Sequence, residues 1–318
     1  MTSPLDRKGL AAIFASFVFW GLVPLYWHAL QQVPSLLVIA HRIAWSAILV
    51  VCWLCAREGF AWLRRIRARP HALRYLGVSG LLIGFNWGLY IWAINNGHVI
   101  ESSLGYFINP LFSVLLGVLV LKEQLSRVQW TAVGCAAAGV LWLTASAGAP
   151  PWIALCLALS FALYGLVRKL VAVEPVAGLA VENLYLFVPA VAVLAWGESG
   201  HGGGFVHGWS AGVDALLVAG GAVTALPLVG FAYGVQRIPL SVVGLVQYTS
   251  PTLQLLIGAA VFGEPFDATR AIGFGAIWIG LALFAAHGWR TRTRATSSPS
   301  GAIPPAADRP DDSRTGRN

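Results

Sequence analysis

Charged side chains are scarce in this 318-residue sequence: Asp, Glu, Lys and Arg make up 11%, against about 25% in an ordinary soluble domain. That shortage excludes a soluble enzyme, a disordered chain and a coiled coil, each of which needs charge to meet water. There is no Walker A pattern, and with it no internal ATPase. No H-E-x-x-H and no G-x-S-x-G occur, so readings as a membrane metalloprotease or lipid hydrolase lack their metal site or nucleophile. Cysteines number four. Cys52 and Cys55 form one C-x-x-C in an apolar stretch with no second pair, and read as small hydrophobes rather than a redox or metal centre. His201 and His207 stand in a Gly-rich connector without a third metal ligand.

What the sequence has instead is apolar surface: 57% hydrophobic residues, with 14 Trp and 35 Gly. The apolar runs are long and unbroken, whereas a membrane β-barrel wants short alternating segments. A helix needs about 20 such residues to cross a bilayer core of about 30 Å. The chain is therefore expected to be all-α and polytopic. Ten spans are placed at about 9–29, 35–55, 74–95, 101–121, 128–145, 151–167, 176–196, 212–235, 240–262 and 269–289. The longer connectors are an Arg-rich stretch from Arg57 to Arg74 and a Gly/His-rich one from Gly197 to Ser210. Residues 290–318 are rich in Pro, Ser and charge without apolar periodicity, the composition of a disordered tail.

With the N-terminus inside and the spans alternating, every one of the 21 basic residues except Arg42 and Arg270 falls on the inner side. That asymmetry puts both termini in the cytoplasm. Arg7 and Lys8 lead into an apolar run reaching Leu30 with no early small-residue cleavage site, so the first span is expected to remain as an anchor. The net charge of +8 is the sum of cytoplasmic loop charges beside anionic lipid and needs no nucleic-acid partner.

The sequence repeats itself at an offset of 141 residues. Pro34 falls on Pro175, Ser79-Gly80 on Gly220-Gly221, Pro110 on Pro251, Gly117 on Gly258, Glu123 on Glu264, Gly134 on Gly275 and Gly139 on Gly280. The first spans match at a slightly longer offset, Ser16-Phe17 with Ser160-Phe161 and Gly21-Leu22-Val23 with Gly165-Leu166-Val167. Chance matches arise in Gly-rich membrane chains, but here Pro and Glu coincide as well as Gly, over several spans. The units are residues 1–147 and 148–289, five helices each. An odd number of spans turns the second unit upside down, and inverted repeats can exchange inward-open and outward-open shapes around a midplane site.

An ionisable group in mid-bilayer costs about 3 kcal/mol even on the lenient insertion scale, which makes each one a functional-site hypothesis. Span two carries His41-Arg42, with Arg42 about 10 Å below the outer surface at the helical rise. Span seven carries Glu182-Asn183 at the equivalent positions, about 10 Å above the inner surface. These pairs are expected to face a shared cavity, with Arg42 and Glu182 coupled directly or through substrate or water. The competing reading is two separate structural hydrogen-bond sites, since polar groups also join helices in membranes. Asn86 lies mid-span in span three, and Asn95-Asn96 at its outer end. In span four, Tyr106 and Asn109 share a helix face, with Ser102 and Ser103 about a turn away, and Pro110 frees a backbone carbonyl. Span nine repeats this with Gln247, Tyr248 and Pro251. These are read as cavity-lining groups, with Pro110 and Pro251 as hinges; packing kinks and interfacial hydrogen bonding are the alternative. Glu101, at the outer mouth, is a candidate for proton coupling beside His41 and Glu182, against a reading as a solvated helix start. Glu123 reads as a structural cap. Trp20, Trp87 and Trp92 could line an amphipathic pocket, but lipid or core packing is the favoured reading.

Several stretches resemble the EamA family of drug/metabolite transporters, and within it the RarD subgroup, over about residues 9–285. They are FWGLVPLYW around Trp20, AHRIAWS around His41-Arg42, IGFNWGLYIWAINN from Ile83, ESSLGYFINPL from Glu101, SFALYGLVRK ending at Lys169, and VQYTSPTLQ around Pro251. The resemblance implies a ten-helix secondary transporter with inverted five-helix repeats in a bacterial inner membrane. The wider family includes proteins similar to exporters of amino acids and other metabolites. No site residues are carried over beyond the polar positions already named.

The expected function is export of a small metabolite or drug-like molecule by alternating access. Ligand would sit near His41, Arg42, Asn86, Tyr106, Asn109, Glu182, Asn183 and Gln247. Arg42 would attract an anionic or carboxylate-bearing group, Glu182 would complement a cation or exchange a proton, and the amides would orient the ligand. The partners are that small molecule, the bilayer and possible coupling protons; no cofactor and no catalytic set are expected. A non-transporting receptor or scaffold, and an importer of the same substrates, are the alternatives.

Overall fold

The computed structural model describes residues 6–146, 151–171, 173–263 and 267–296. Among them are twelve helices and no strand: α1 (Arg7–His28), α2 (Ser35–Glu58), α3 (Ala61–Arg67), α4 (Pro70–Asn95), α5 (Val99–Leu119), α6 (Arg127–Ser146), α7 (Trp152–Leu170), α8 (Pro175–Glu198), α9 (Ala211–Val235), α10 (Leu240–Gln247), α11 (Thr249–Ala260) and α12 (Ala268–Thr296). Ten spans among them are long and apolar enough to cross a membrane, α10 and α11 forming one of these together. Large apolar side chains such as Leu81, Leu141, Val188 and Ile279 are exposed on the outside of the bundle, as a hydrocarbon solvent requires.

Local chemistry explains the ends and the break. Asp6 caps α1 by accepting from the backbone N–H groups of Lys8 (2.8 Å) and Gly9 (3.0 Å), two donors that have no partner inside the helix. Pro70 and Pro175 open α4 and α8, where the absent N–H costs nothing. Span nine divides at Tyr248. Pro251 has no N–H, and its ring crowds the carbonyl four residues back, at Gln247, where α10 ends. Pro110 sits inside an unbroken α5.

Three local readings need correction. The Arg-rich connector contains α3, whose Trp62 and Ile66 are buried in the main core. The sixth span runs beyond 167 to Leu170 and so carries Arg168 within it. The last helix continues past 289 to Thr296, so the first residues assigned to a disordered tail are helical. Residues 297–318, the rest of that tail, lie outside the described residues, as does Glu264.

The tertiary contacts are those of an internal two-fold. Helix α2 packs on its repeat equivalent α8, α6 on α12, and α5 on α10. The other extensive contacts between the halves come in exchanged pairs: α1 on α9 with α7 on α4, α2 on α9 with α8 on α4, and α1 on α11 with α7 on α5. Glycines at equivalent positions make these approaches possible. Gly80 packs α4 onto the backbone of α8 at Glu182, and Gly221 packs α9 onto the backbone of α2 at Trp45 and Ser46. Gly139 and Gly280 bring α6 and α12 together, where an added Cβ would run into the carbonyls of Gly273 and Ala132. Small residues at crossings are how membrane helices gain close van der Waals packing.

Candidate functional site

Where the two halves meet they leave a chamber of about 180 Å³. Its described lining comes from α1, α2, α4 and α5 of the first half and from α7, α9, α10 and α11 of the second, with none from the described residues of α6, α8 and α12. The wall is mainly aromatic and aliphatic, including Phe17, Trp20, Trp27, Trp87, Tyr90 and Phe161. Equivalent positions of the two repeats meet at its floor: Tyr106 and Asn109 from α5, with Gln247 from α10 and Ser250 from α11.

Arg42 is the one formally charged side chain among the described lining residues. Its Nε donates to Thr224 Oγ1 at 2.9 Å, and its guanidinium lies over the Trp27 ring at 4.5 Å and the Trp87 ring at 5.1 Å. Among the described residues no carboxylate pairs with it. Asn86 Nδ2 donates to the Leu157 carbonyl (2.8 Å) and to Ser160 Oγ (2.9 Å), which ties α4 to α7. Gln254 Nε2 donates to the Trp20 carbonyl at 3.2 Å and to Ser250 Oγ at 3.3 Å, which ties α11 to α1. Asn109 is buried, and its Oδ1 has no partner among the described residues.

Of the residues expected together, the chamber holds Arg42, Asn86, Tyr106, Asn109, Gln247, Pro110's equivalent Pro251, and also Ser102. His41, Glu182, Asn183 and Glu101 are not in its lining. His41 faces the other side of α2, where Phe205 and Trp209 of the Gly/His-rich connector cover it (ring centroids 4.9 and 6.4 Å away). Asn183 Nδ2 donates to Ser46 Oγ at 2.8 Å, a direct bond between α8 and α2. Glu101 Oε1 accepts from Nδ1 of the His98 ring at 2.9 Å, three residues back at the cap of its own helix. The expected coupling of Glu182 to Arg42 is replaced by a different pair. Glu182 meets Arg168 at 3.2 Å, both side chains only 1% exposed. Ser79 Oγ donates to Glu182 Oε1, the Tyr164 hydroxyl donates to Oε2 at 3.4 Å, and Arg168 Nη2 donates to the Pro175 carbonyl at 3.1 Å.

This cluster occupies the half of the bundle equivalent to the chamber. Tyr164 stands where Trp20 stands in the first repeat, and Glu182-Asn183 where His41-Arg42 stand. Beside Arg42 the helices α1, α2 and α9 border a cavity, whereas an ion pair joins their repeat equivalents α7 and α8 beside α4. The match is one of helices, not of residues: Glu182 stands at the position of His41, outside the chamber, and Arg42 at that of Asn183, which bonds Ser46. Around it, Lys169 Nζ donates to the carbonyls of Val235 (3.1 Å) and Ile238. Gln236 Nε2 reaches the Val173 carbonyl at 3.0 Å. Glu123 accepts from the N–H groups of Leu240 (2.7 Å) and Ser241 (2.8 Å) and from the Ser241 hydroxyl (2.7 Å), capping α10 from the other repeat.

Sequence reasoning missed Arg168, Tyr164, Ser79, Trp27 and Thr224, and it assigned Trp20 and Trp87 to packing although both line the chamber. Trp92 lies outside the chamber, exposed and stacked on His98. Arg168 carried one usable signal: it lies seven residues before Pro175, the start of the next span, which leaves room for the sixth span to extend over it.

Ten apolar spans in two interlocked halves, with a chamber at their interface, are the architecture of a membrane transporter. The profile of the EamA-like transporter family matches this chain twice, over residues 7–145 and 151–286. The chain belongs to that family, in its RarD subgroup. It is similar to "Protein RarD" of Streptomyces exfoliatus, 42% identical over 94% of this chain and 95% of that one. It is also similar to "Uncharacterized transporter YojE" of Bacillus subtilis, 43% identical over 87% and 93%. A solved crystal structure with 20% identity superposes with a TM-score of 0.67 over 89% of this chain and 98% of the other, and shares the fold.

Proposed function

We propose that this chain exports a small molecule across the bacterial inner membrane by alternating access, holding it in the chamber between residues 1–147 and 148–289, with both termini in the cytoplasm. The observation that carries the reading is the asymmetry between equivalent half-interfaces. A chamber lies beside Arg42 among α1, α2 and α9, while Arg168 and Glu182 join their repeat equivalents α7 and α8. Halves of like fold can exchange these roles, so that the Arg168–Glu182 side parts as the Arg42 side closes. In this reading Arg42 anchors the substrate, and Asn86, Tyr106, Asn109 and Gln247 orient it. Glu182, assigned above to substrate or proton binding, acts with Arg168 as a gate. Pro251, behind the break at Tyr248, supplies the bend in span nine. The substrate's own gradient suffices to drive the cycle.

Counterflow in proteoliposomes against a metabolite panel tests it. Exchange of a labelled substrate across the sealed bilayer is expected, with Arg42→Ala lowering it. Flux of every identified substrate left intact by Arg42→Ala would remove the chamber from the transport path. Ligand binding without any exchange favours a receptor. Loaded vesicles of defined orientation read the direction.

A further inference from the structure

The chamber's charge and its walls narrow the class of ligand. It contains a single cation, Arg42, with no carboxylate partner among the described residues, inside a wall of indole, phenyl and aliphatic groups. A cation so placed is stabilised by one negative charge delivered with the ligand, and a guanidinium matches a carboxylate in geometry. A second charge on the ligand finds no complement. The described lining has no Asp or Glu for an ammonium group. The indole rings best placed for a cation–π contact, Trp27 and Trp87, already face Arg42. Asn109 Oδ1 offers an acceptor dipole, not a countercharge.

Size sets the rest. An apolar cavity of about 150 Å³ holds one benzene, so a chamber of about 180 Å³ takes one ring, and its open side leaves room for the chain that carries the head group. We infer that the chamber selects an amphipathic monoanion, a carboxylate on a single-ring apolar body, over the zwitterion, the neutral amide and the amine of the same shape. The inference rests on the chamber being the transport site, and its test keeps the two separable.

The test uses the purified full-length chain in detergent at pH 7 and low salt. Quenching of tryptophan fluorescence, to which Trp20, Trp27 and Trp87 contribute from the wall, is followed during titration with four probes of one shape. These are 3-phenylpropionate, 3-phenylpropanamide, 3-phenylpropylamine and L-phenylalanine. The carboxylate is expected to bind about tenfold or more tighter than each of the others, the worth of one hydrogen-bonded charge. Arg42→Gln is expected to bring the carboxylate and the amide to the same affinity. An anion that fails to bind most tightly to the unaltered chain overturns the inference, whether or not the variant folds. So does a preference that persists in a folded Arg42→Gln protein. The same probes in counterflow then separate the readings. An anion that binds selectively but is not carried leaves the ligand class standing and defeats the transport site. A zwitterion carried as well as the anion, and bound as tightly, defeats the ligand class alone.

Discussion

Arg168 and Glu182 form an ion pair at 3.2 Å between α7 and α8, each side chain 1% exposed. Gly178 makes room for it, since a Cβ there would overlap the Arg168 guanidinium. Removing one member of a buried pair strands the other charge, at a cost of about 3–5 kcal/mol. Arg168→Leu and Glu182→Leu are each expected to lower the thermal melting temperature sharply in detergent. The double variant should recover most of the loss, because it leaves no orphan charge. If the double variant melts as low as the worse single one, the pair is not the coupled unit described. In transport terms the double variant loosens the gate, so a cysteine introduced at Ser250 in the chamber floor should become more reactive from the Arg168 side.

The ten spans were legible because hydropathy is a property of each segment alone. Their boundaries lie within a few residues of the observed helices, apart from the end of α12, which runs on to Thr296, and the break at Tyr248, near the Pro251 read as a hinge. The site was half legible. Arg42, Asn86, Tyr106, Asn109 and Gln247 are polar groups in apolar runs, and they do converge. Glu182 obeyed the same rule and lies elsewhere, since which face of α8 is covered depends on α4 and α7, more than ten residues away in sequence. Arg168 was hidden by its neighbour: Arg168-Lys169 at a span end reads as a loop charge pair. His41 shares a helix with Arg42 but is turned about 100° from it, as adjacent helical residues are, and so falls outside the chamber. Its cover, Phe205, arrives from a connector whose path no local pattern gives.

Equivalent glycines separate packing from coincidence. Gly139 and Gly280 sit in the α6–α12 contact, whereas Gly134 and Gly275 have nothing within 4 Å of an added Cβ. Gly139→Ala and Gly280→Ala are expected to cost about 1–3 kcal/mol through overpacking. Gly134→Ala and Gly275→Ala should be neutral or stabilising by up to about 1 kcal/mol, as alanine is the better helix former. Thermal melts of the four variants in one detergent decide it. Equal shifts in all four would mean that the tight crossing of α6 and α12 does not exist.

Glu123 joins the halves at a helix end. The chain turns through Lys122 at φ 56°, a left-handed conformation uncommon for a residue with a Cβ, and this brings the carboxylate to the first N–H groups of α10. Loss of a helix cap costs about 0.5–2 kcal/mol, so Glu123→Ala should destabilise the protein by about that amount. Glu123→Gln, whose amide oxygen still accepts, should lose less. Hydrogen exchange at Leu240 and Ser241 is the direct measure, and protection unchanged in Glu123→Ala would rule out the cap.

The inverted arrangement makes opposite demands on two equivalent points. Pro34 precedes α2 and Glu174 precedes α8, and both are exposed. In a background with the four native cysteines replaced, Pro34→Cys should react with a membrane-impermeant maleimide in intact cells. Glu174→Cys should react only after permeabilisation, because five spans separate the two and each crossing reverses the side. The sign follows from the basic connector around Arg64, Arg65 and Arg67, which is expected on the cytoplasmic face. Labelling of both positions from one face would mean an even number of crossings between them. The two halves would then lie parallel, the Arg168–Glu182 cluster could not be the inverted image of the chamber, and the exchange of open and closed sides would lose its structural basis.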